Sequence, residues 1–322
     1  MTTTATVPAR APRLAGRRWQ DLWTAGLPAA GLALMLIVLR LVEPGTFTAE
    51  GMSLVLRSST PLVLAATAQL CIIAVGDLDL GVGSALGFVN VVIASWLASD
   101  PVWGWLALAG VIGAYMAMGA LIHVRRLPAI MVTLAASFVW LGVAMLVLPT
   151  PGGMAPGWLA RWAYWDTPLV PLPIVLAAAV AIVASLILNR SRLGMIVRAL
   201  GSNPRALDSA GRSSARARVA AYGLAGCFVV LAGFAVTANT ASGDAHGTSG
   251  YTILTIAAVI LGGARFSGGV VAPVGAVLGA ITLGLVASVL TFLNVSSDYQ
   301  TGIQGLLLLV VLAGRALGRR SR

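Results

Sequence analysis

The sequence predicts an all-α protein, a polytopic bundle of about ten transmembrane helices with both termini in the cytoplasm. Three observations carry that expectation. Hydrophobic residues make up 58% of the 322 residues and charged ones only 10%, with a mean hydropathy of +0.93, a balance foreign to soluble domains. The apolar residues fall in runs close to the roughly 20 residues that cross a bilayer. The charges between the runs separate by side, arginine on one and acids on the other.

The runs are 24–42, 52–75, 80–98, 102–123, 127–148, 170–188, 219–239, 251–264, 270–293 and 301–314. The first is too long for a signal-peptide core and no small-residue cleavage site follows, so it reads as a retained anchor. The eighth and last are short, which fits either tilted neighbours of re-entrant backbone or boundaries set too tightly. With the N-terminus inside, eighteen of the 21 arginines face the cytoplasm, leaving Arg40, Arg57 and Arg161 elsewhere. The outer loops then hold Glu43, Glu50, Asp100, Asp166, Asp244 and Asp298. A miscounted span would reverse this asymmetry beyond the error. Residues 1–23 read as a disordered basic tail, 24–314 as one transmembrane domain, and 315–322 as a second basic tail. Small residues at four-residue spacing, such as Gly275 and Gly279 or Ala276 and Ala280, read as close helix packing.

Composition also excludes functions. The net charge of +11 sits between apolar runs and at the ends, which is topology rather than nucleic-acid binding. All 21 basic residues are arginine. Without lysine there is no Walker A loop and no Schiff base, so ATP and Mg²⁺, where transport uses them, belong to another chain. Cys71 and Cys227 read as small buried hydrophobes. His123 and His246 have no cluster around them, so no metal site and no bound cofactor are expected. No catalytic constellation appears, and the chain reads as a transport subunit rather than an enzyme.

The long polar loop 189–218 carries seven arginines and one acid, Asp208. Asn203 suits a helix N-cap, Pro204 the first helical position and Gly211 a left-handed exit. Two readings stand: a docking helix for a soluble partner, or a solvated connector. In the first, Ala206, Leu207 and Ala210 share the docking face. Arg190, Arg192, Arg216 and Arg218 read as topology charges that lysine could replace.

Two glycine-rich motifs sit between runs. Residues 76–84 place Asp77 and Asp79 among Gly76, Gly81 and Gly83, and 262–269 include Gly262 and Gly263. Charge and glycine at membrane depth point to a discontinuous helix beside a translocation path. A tight cytoplasmic turn with capping aspartates is the other reading. The two acids, two residues apart, face different ways, and no cation partner is near them in sequence. Recurrence of the theme suggests internal duplication, although the two motifs share an orientation that five spans per half would invert.

Together these segments resemble the permease subunit of a ribose-type (monosaccharide) ABC importer, from about residue 24 to 314. Residues 76–84 resemble the family's Gly-Gly-Ile-Asp-Leu-Ser-Val-Gly-Ser signature. The stretch from Arg192-Leu193-Gly194 through Gly201, Ser202, Asn203 and Pro204 to Gly211 resembles its Ala-Leu-Gly-Gly-Asn-Pro loop. Ala257 to Gly263 and Val295 to Gln300 match two further stretches in order. Asp77 stands where the family has glycine, Gly81 where it has serine, and Arg205 where it has an acid. The resemblance implies a multi-pass bacterial inner-membrane protein whose coupling helix, at Gly201, Asn203, Pro204, Ala206, Leu207, Ala210 and Gly211, docks into an ABC ATPase. It also implies a second permease copy, as homodimer or heterodimer, and an extracytoplasmic sugar-binding protein. Permeases for nucleosides, branched-chain amino acids or autoinducer-like sugars are the neighbouring readings. An ion-coupled secondary transporter is a more distant one.

Overall fold

The computed structural model describes residues 14–163, 165, 170–296, 299, 300, 302, 303, 305 and 306. In chain order its α-helices are α1 (Leu14–Val42), α2 (Ala49–Arg57), α3 (Thr60–Ala74), α4 (Val82–Val92), α5 (Pro101–Arg125), α6 (Ala129–Val147), α7 (Gly157–Ala163), α8 (Leu172–Ser185), α9 (Arg192–Ser202), α10 (Pro204–Ser209), α11 (Ser214–Thr240), α12 (Tyr251–Leu261) and α13 (Pro273–Phe292). No strand is formed among the described residues. The helices begin where the sequence supplies caps. The Asp100 carboxylate accepts the Val102 N–H at 3.2 Å, with Pro101 next to it, and the Thr48 hydroxyl accepts the Gly51 N–H at 3.1 Å. Each cap satisfies one of the amide donors orphaned at a helix start.

Five helical segments are long and apolar enough to cross a membrane: α5, α6, Leu172–Arg190, α11 and α13. Helices α2 and α3 make a further span bent by 44°. Three shorter apolar helices, Pro28–Val42, Val82–Leu97 and Tyr251–Leu261, complete the set. These nine segments fall on the first nine hydrophobic runs. Most of the tenth run and both basic tails lie outside the described residues.

Two of the short helices are explained by α11, which spans the bilayer and serves as a ruler. Arg218, near its start, contacts Asp77, and Thr237, near its end, contacts Asn90. Nineteen residues separate them, about 29 Å of helix and close to the hydrocarbon thickness. Residues 78–89 therefore lie within the core of the membrane. Only the outer part of that crossing is helical, because 75–81 form a turn and a non-helical segment before α4 begins. Helix α12 is broken on the opposite side. Residues 241–250, expected as an outer loop, instead descend along α4 until Thr248 and Thr252 reach Gly83. The eighth crossing is short for that reason. Breaks in the third and eighth spans, on opposite faces, are the geometry of an inverted repeat. The 76–84 motif meets 241–250 through Gly83 and 262–269 through Gly76.

Around these breaks the bundle packs through small residues. Helix α3 is buried along almost its whole length, and α11 packs on α3, α4 and α5. Gly233 lies against Val89, Gly226 against Ile112 and Tyr115, and Gly279 and Gly275 against Ala258 and Gly262 of α12. The four-residue stripe on α13 is a helix contact. Cys71 is buried as expected, whereas Cys227 points outward from α11.

Asn90 shows what the descending stretch requires. Its amide nitrogen donates to Thr237 Oγ1 and the Ser242 carbonyl, both at 2.9 Å, and its oxygen accepts the Asp244 N–H at 2.7 Å. Asn90→Leu keeps the volume and leaves the Asp244 N–H without its acceptor, at about 1–3 kcal/mol, while the Ser242 carbonyl keeps the Thr240 hydroxyl. The detergent-solubilised variant should melt several degrees lower, with Thr237→Val, which removes one contact, losing less. A static-light-scattering melt compares the three proteins.

Candidate functional site

The 75–81 break is held by side chains from four helices. Gly76 leaves α3 with φ +84°, a left-handed conformation that suits glycine. Asp77 then meets α11: Arg218 Nε lies 3.0 Å from Oδ2, Nη2 donates to Oδ1 at 3.4 Å, and the Tyr222 hydroxyl donates to Oδ2 at 3.3 Å. Asp79 faces the other way, as the two-residue spacing requires. Its Oδ1 accepts the Gly81 N–H at 2.7 Å and its Oδ2 accepts the Tyr115 hydroxyl of α5 at 2.8 Å. The Leu80 N–H donates to Thr133 Oγ1 at 3.1 Å. Gln69 of α3, with its amide turned as the bonding pattern demands, donates to the Asp79 carbonyl at 3.2 Å and accepts its N–H at 3.3 Å.

The capping reading is not realised: Gly81 is the N-cap of α4 and no side chain caps that helix. Asp79 instead closes a turn onto the Gly81 N–H and is 1% exposed. Asp77 is 9% exposed and neutralised by a cation 141 residues away. Arg218, which the sequence assigns to topology alone, is instead ion-paired, with its side chain 20% exposed. A charge held this way compensates a carboxylate that would otherwise be too costly to bury.

The two broken crossings meet at the start of α4. Thr248 Oγ1 donates to the Gly83 carbonyl at 2.7 Å and the Gly83 N–H donates to Thr252 Oγ1 at 3.1 Å. A methyl group on Gly83 would overlap Thr252 and the Thr248 carbonyl, and one on Gly81 the Thr133 carbonyl. These glycines permit backbone to run against backbone.

Three sequence motifs converge at the cytoplasmic end. The Gly269 N–H donates to the Ala74 carbonyl at 3.0 Å. Gly201, at the end of α9, is pressed against that carbonyl and against Gly268, which in turn abuts Gly76. Gly262 and Gly263 are buried behind this point, where α12 passes to α13. The 262–269 turn thus clamps α3 to the polar loop.

Within that loop the punctuation residues act as anticipated by their chemistry. Asn203 Oδ1 accepts the Ala206 N–H at 3.1 Å, Pro204 opens α10, and Gly211 leaves it at φ +71°. Asp208 Oδ1 accepts the Ser214 N–H at 3.2 Å and fixes α10 to the first turn of α11. The expected shared face does not form. Leu207 turns into the protein's own core, while Ala206 and Ala210 are exposed.

With this geometry established, comparison with known proteins decides the family. The family described as branched-chain amino acid transport system / permease component matches residues 51–312. The chain belongs to it. Among its relatives, the ribose import permease protein of Escherichia coli (strain K12) is 29% identical over 291 residues, covering 87% of this chain and 90% of that one. The L-arabinose ABC transporter permease protein of Azospirillum brasilense is 28% identical over 319 residues, 96% of this chain and 91% of the other. The autoinducer 2 import system permease protein of Klebsiella pneumoniae is 28% identical over 254 residues, 75% and 76%. No solved structure matches. The protein is a transport permease of this family, a multi-pass membrane subunit rather than an enzyme.

Sequence reasoning missed six residues of this permease's polar network. Tyr115, Tyr222, Gln69 and Thr133 hold the inner break, Asn90 the outer one, and Arg218 pairs with Asp77. Polar side chains inside apolar runs were the available signal, since such groups need partners in lipid.

Asp79 offers a direct check. Asp79→Asn retains an oxygen for the Gly81 N–H and should yield near-normal amounts of folded permease. Asp79→Leu removes two acceptors, at about 1–3 kcal/mol each, and should abolish the monodisperse peak in detergent gel filtration.

Proposed function

We propose that this permease imports a monosaccharide delivered by an extracytoplasmic binding protein and driven by a separate ABC ATPase that docks on α10. The observation that carries the ATPase half is α10 itself, a six-residue helix capped at both ends. Its surface outside Leu207 is exposed. A rigid helix tied to a membrane-crossing helix can pass movement inward, which a solvated connector cannot. The monosaccharide half rests on relatives named for ribose, L-arabinose and autoinducer 2. ATP and Mg²⁺ sit on the ATPase, because a chain without lysine has no Walker A loop. A second permease copy, identical or paralogous, completes the path, and selectivity among sugars resides in the binding protein.

Proteoliposomes test this reading. Vesicles holding the permease, its ATPase and the binding protein should accumulate labelled ribose or arabinose only when ATP is supplied on the ATPase side. Uptake driven by a proton or sodium gradient in vesicles with the permease alone would overturn it. Labelled leucine in place of the pentoses would overturn the substrate class while leaving the ATPase dependence intact. Ala210→Trp, on the exposed side of α10, should insert normally yet lose the ATPase on co-purification, since overpacking a close contact costs about 1–3 kcal/mol.

A further inference from the structure

The polar loop grips one turn of the membrane domain from both of its ends. On the α9 side, Gly201 stands just before the Asn203 cap and is packed on the Ala74 carbonyl and on Gly268. On the α11 side, Asp208 ties α10 to Ser214, and one helical turn further on Arg218 holds Asp77. Ala74 and Asp77 bound the same turn, where α3 ends and the third crossing begins. A displacement of α10 cannot leave that turn behind.

Past the turn lies the softest part of the crossing. Residues 78–81 have no helical ladder, and side chains of neighbouring helices hold them. Beyond them α4 is a stiff rod whose Asn90 holds the descending stretch through Ser242 and Asp244. A contiguous chain of bonded groups thus runs from the cytoplasmic helix to the outer break, about 29 Å along α11. Arg218 and Asp77 are its narrowest point, because they form the charged link between α11 and the non-helical segment.

We infer that the Asp77–Arg218 ion pair is a positioning pair for transport, the contact through which movement of α10 reaches the broken third span. The inference rests on α10 docking the ATPase. Its test is built so that failure of docking and failure of transmission give different results. Removing one partner alone would bury an unpaired charge and confuse folding with function. The variants are therefore the doubles Asp77→Leu/Arg218→Met and Asp77→Gly/Arg218→Met, the second carrying the glycine of the resembling signature. Arg218→Lys keeps the pair and is the conservative control.

Each is reconstituted with the ATPase and the binding protein, and labelled ribose transported is measured against phosphate released. The expected result is that the double variants insert, retain the ATPase on co-purification, and move about tenfold less ribose per ATP hydrolysed. Arg218→Lys should keep most of the ratio. A wild-type ratio in either double variant would reduce the pair to a structural brace and overturn the inference. So would loss of ATPase co-purification by both doubles, which would place the pair in the docking surface itself. If the unaltered permease itself fails to retain the ATPase, the docking reading fails first and the inference built on it falls with it.

Discussion

Two stretches of non-helical backbone lie where lipid offers no hydrogen bonds, and the rest of the structure is arranged around satisfying them. In a bilayer an unpaired amide or carbonyl costs several kcal/mol, so non-helical chain survives only when protein covers it. Residues 75–81 are covered by Gln69, Tyr115, Thr133 and their own Asp79. Residues 241–250 are covered by Asn90 and by an outer strand-like contact in which Gly152 and Gly243 exchange both hydrogen bonds. Gln69, Asp79, Asn90 and Thr133, polar side chains buried among apolar helices, are explained by this one demand. So is the glycine content near both breaks, since satisfying backbone with backbone requires close approach.

The same arrangement couples the two breaks. A continuous helix transmits displacement as a rigid rod, but a crossing that is part non-helical chain and part helix can pivot where the two meet. Here the third and eighth crossings meet at their breaks, through Gly83, Thr248 and Thr252. Tilting α4 therefore displaces the descending outer stretch as well.

Much of this was legible in the sequence because hydrophobicity and charge act locally along the chain. The apolar helices among the described residues follow the hydrophobic runs, and five of them have the length of about 20 residues that crossing lipid imposes. Asn203, Pro204 and Gly211 could be read because a capped helix is specified within a few residues. The partners of Asp77 and Asp79 could not be read, because Arg218 and Tyr115 are close to them only after folding. The 241–250 stretch misleads for a different reason. Its Gly, Ser, Thr and Asp content is that of a solvated loop, and the same groups serve equally well to bond protein when water is absent. Pattern alone sends Leu207 outward, but a short helix at the membrane edge is amphipathic toward its own protein too.

The charge at position 77 shows how one substitution binds distant parts of a fold. In the resembling signature this position is glycine, which would leave the break flexible and α11 unattached to it. An aspartate there is tolerable only with a cation beside it, because an isolated carboxylate 9% exposed among apolar helices carries a large desolvation cost. Arg218 supplies that cation, and Tyr222, one turn further on, donates to the same carboxylate. Asp77 and Arg218 are therefore interdependent, and neither charge can be removed without stranding the other. The result is a charged joint between the helix that follows the docking loop and the segment that precedes α4. The pair is mostly buried, with side chains 20% and 10% exposed, which keeps the two segments in register.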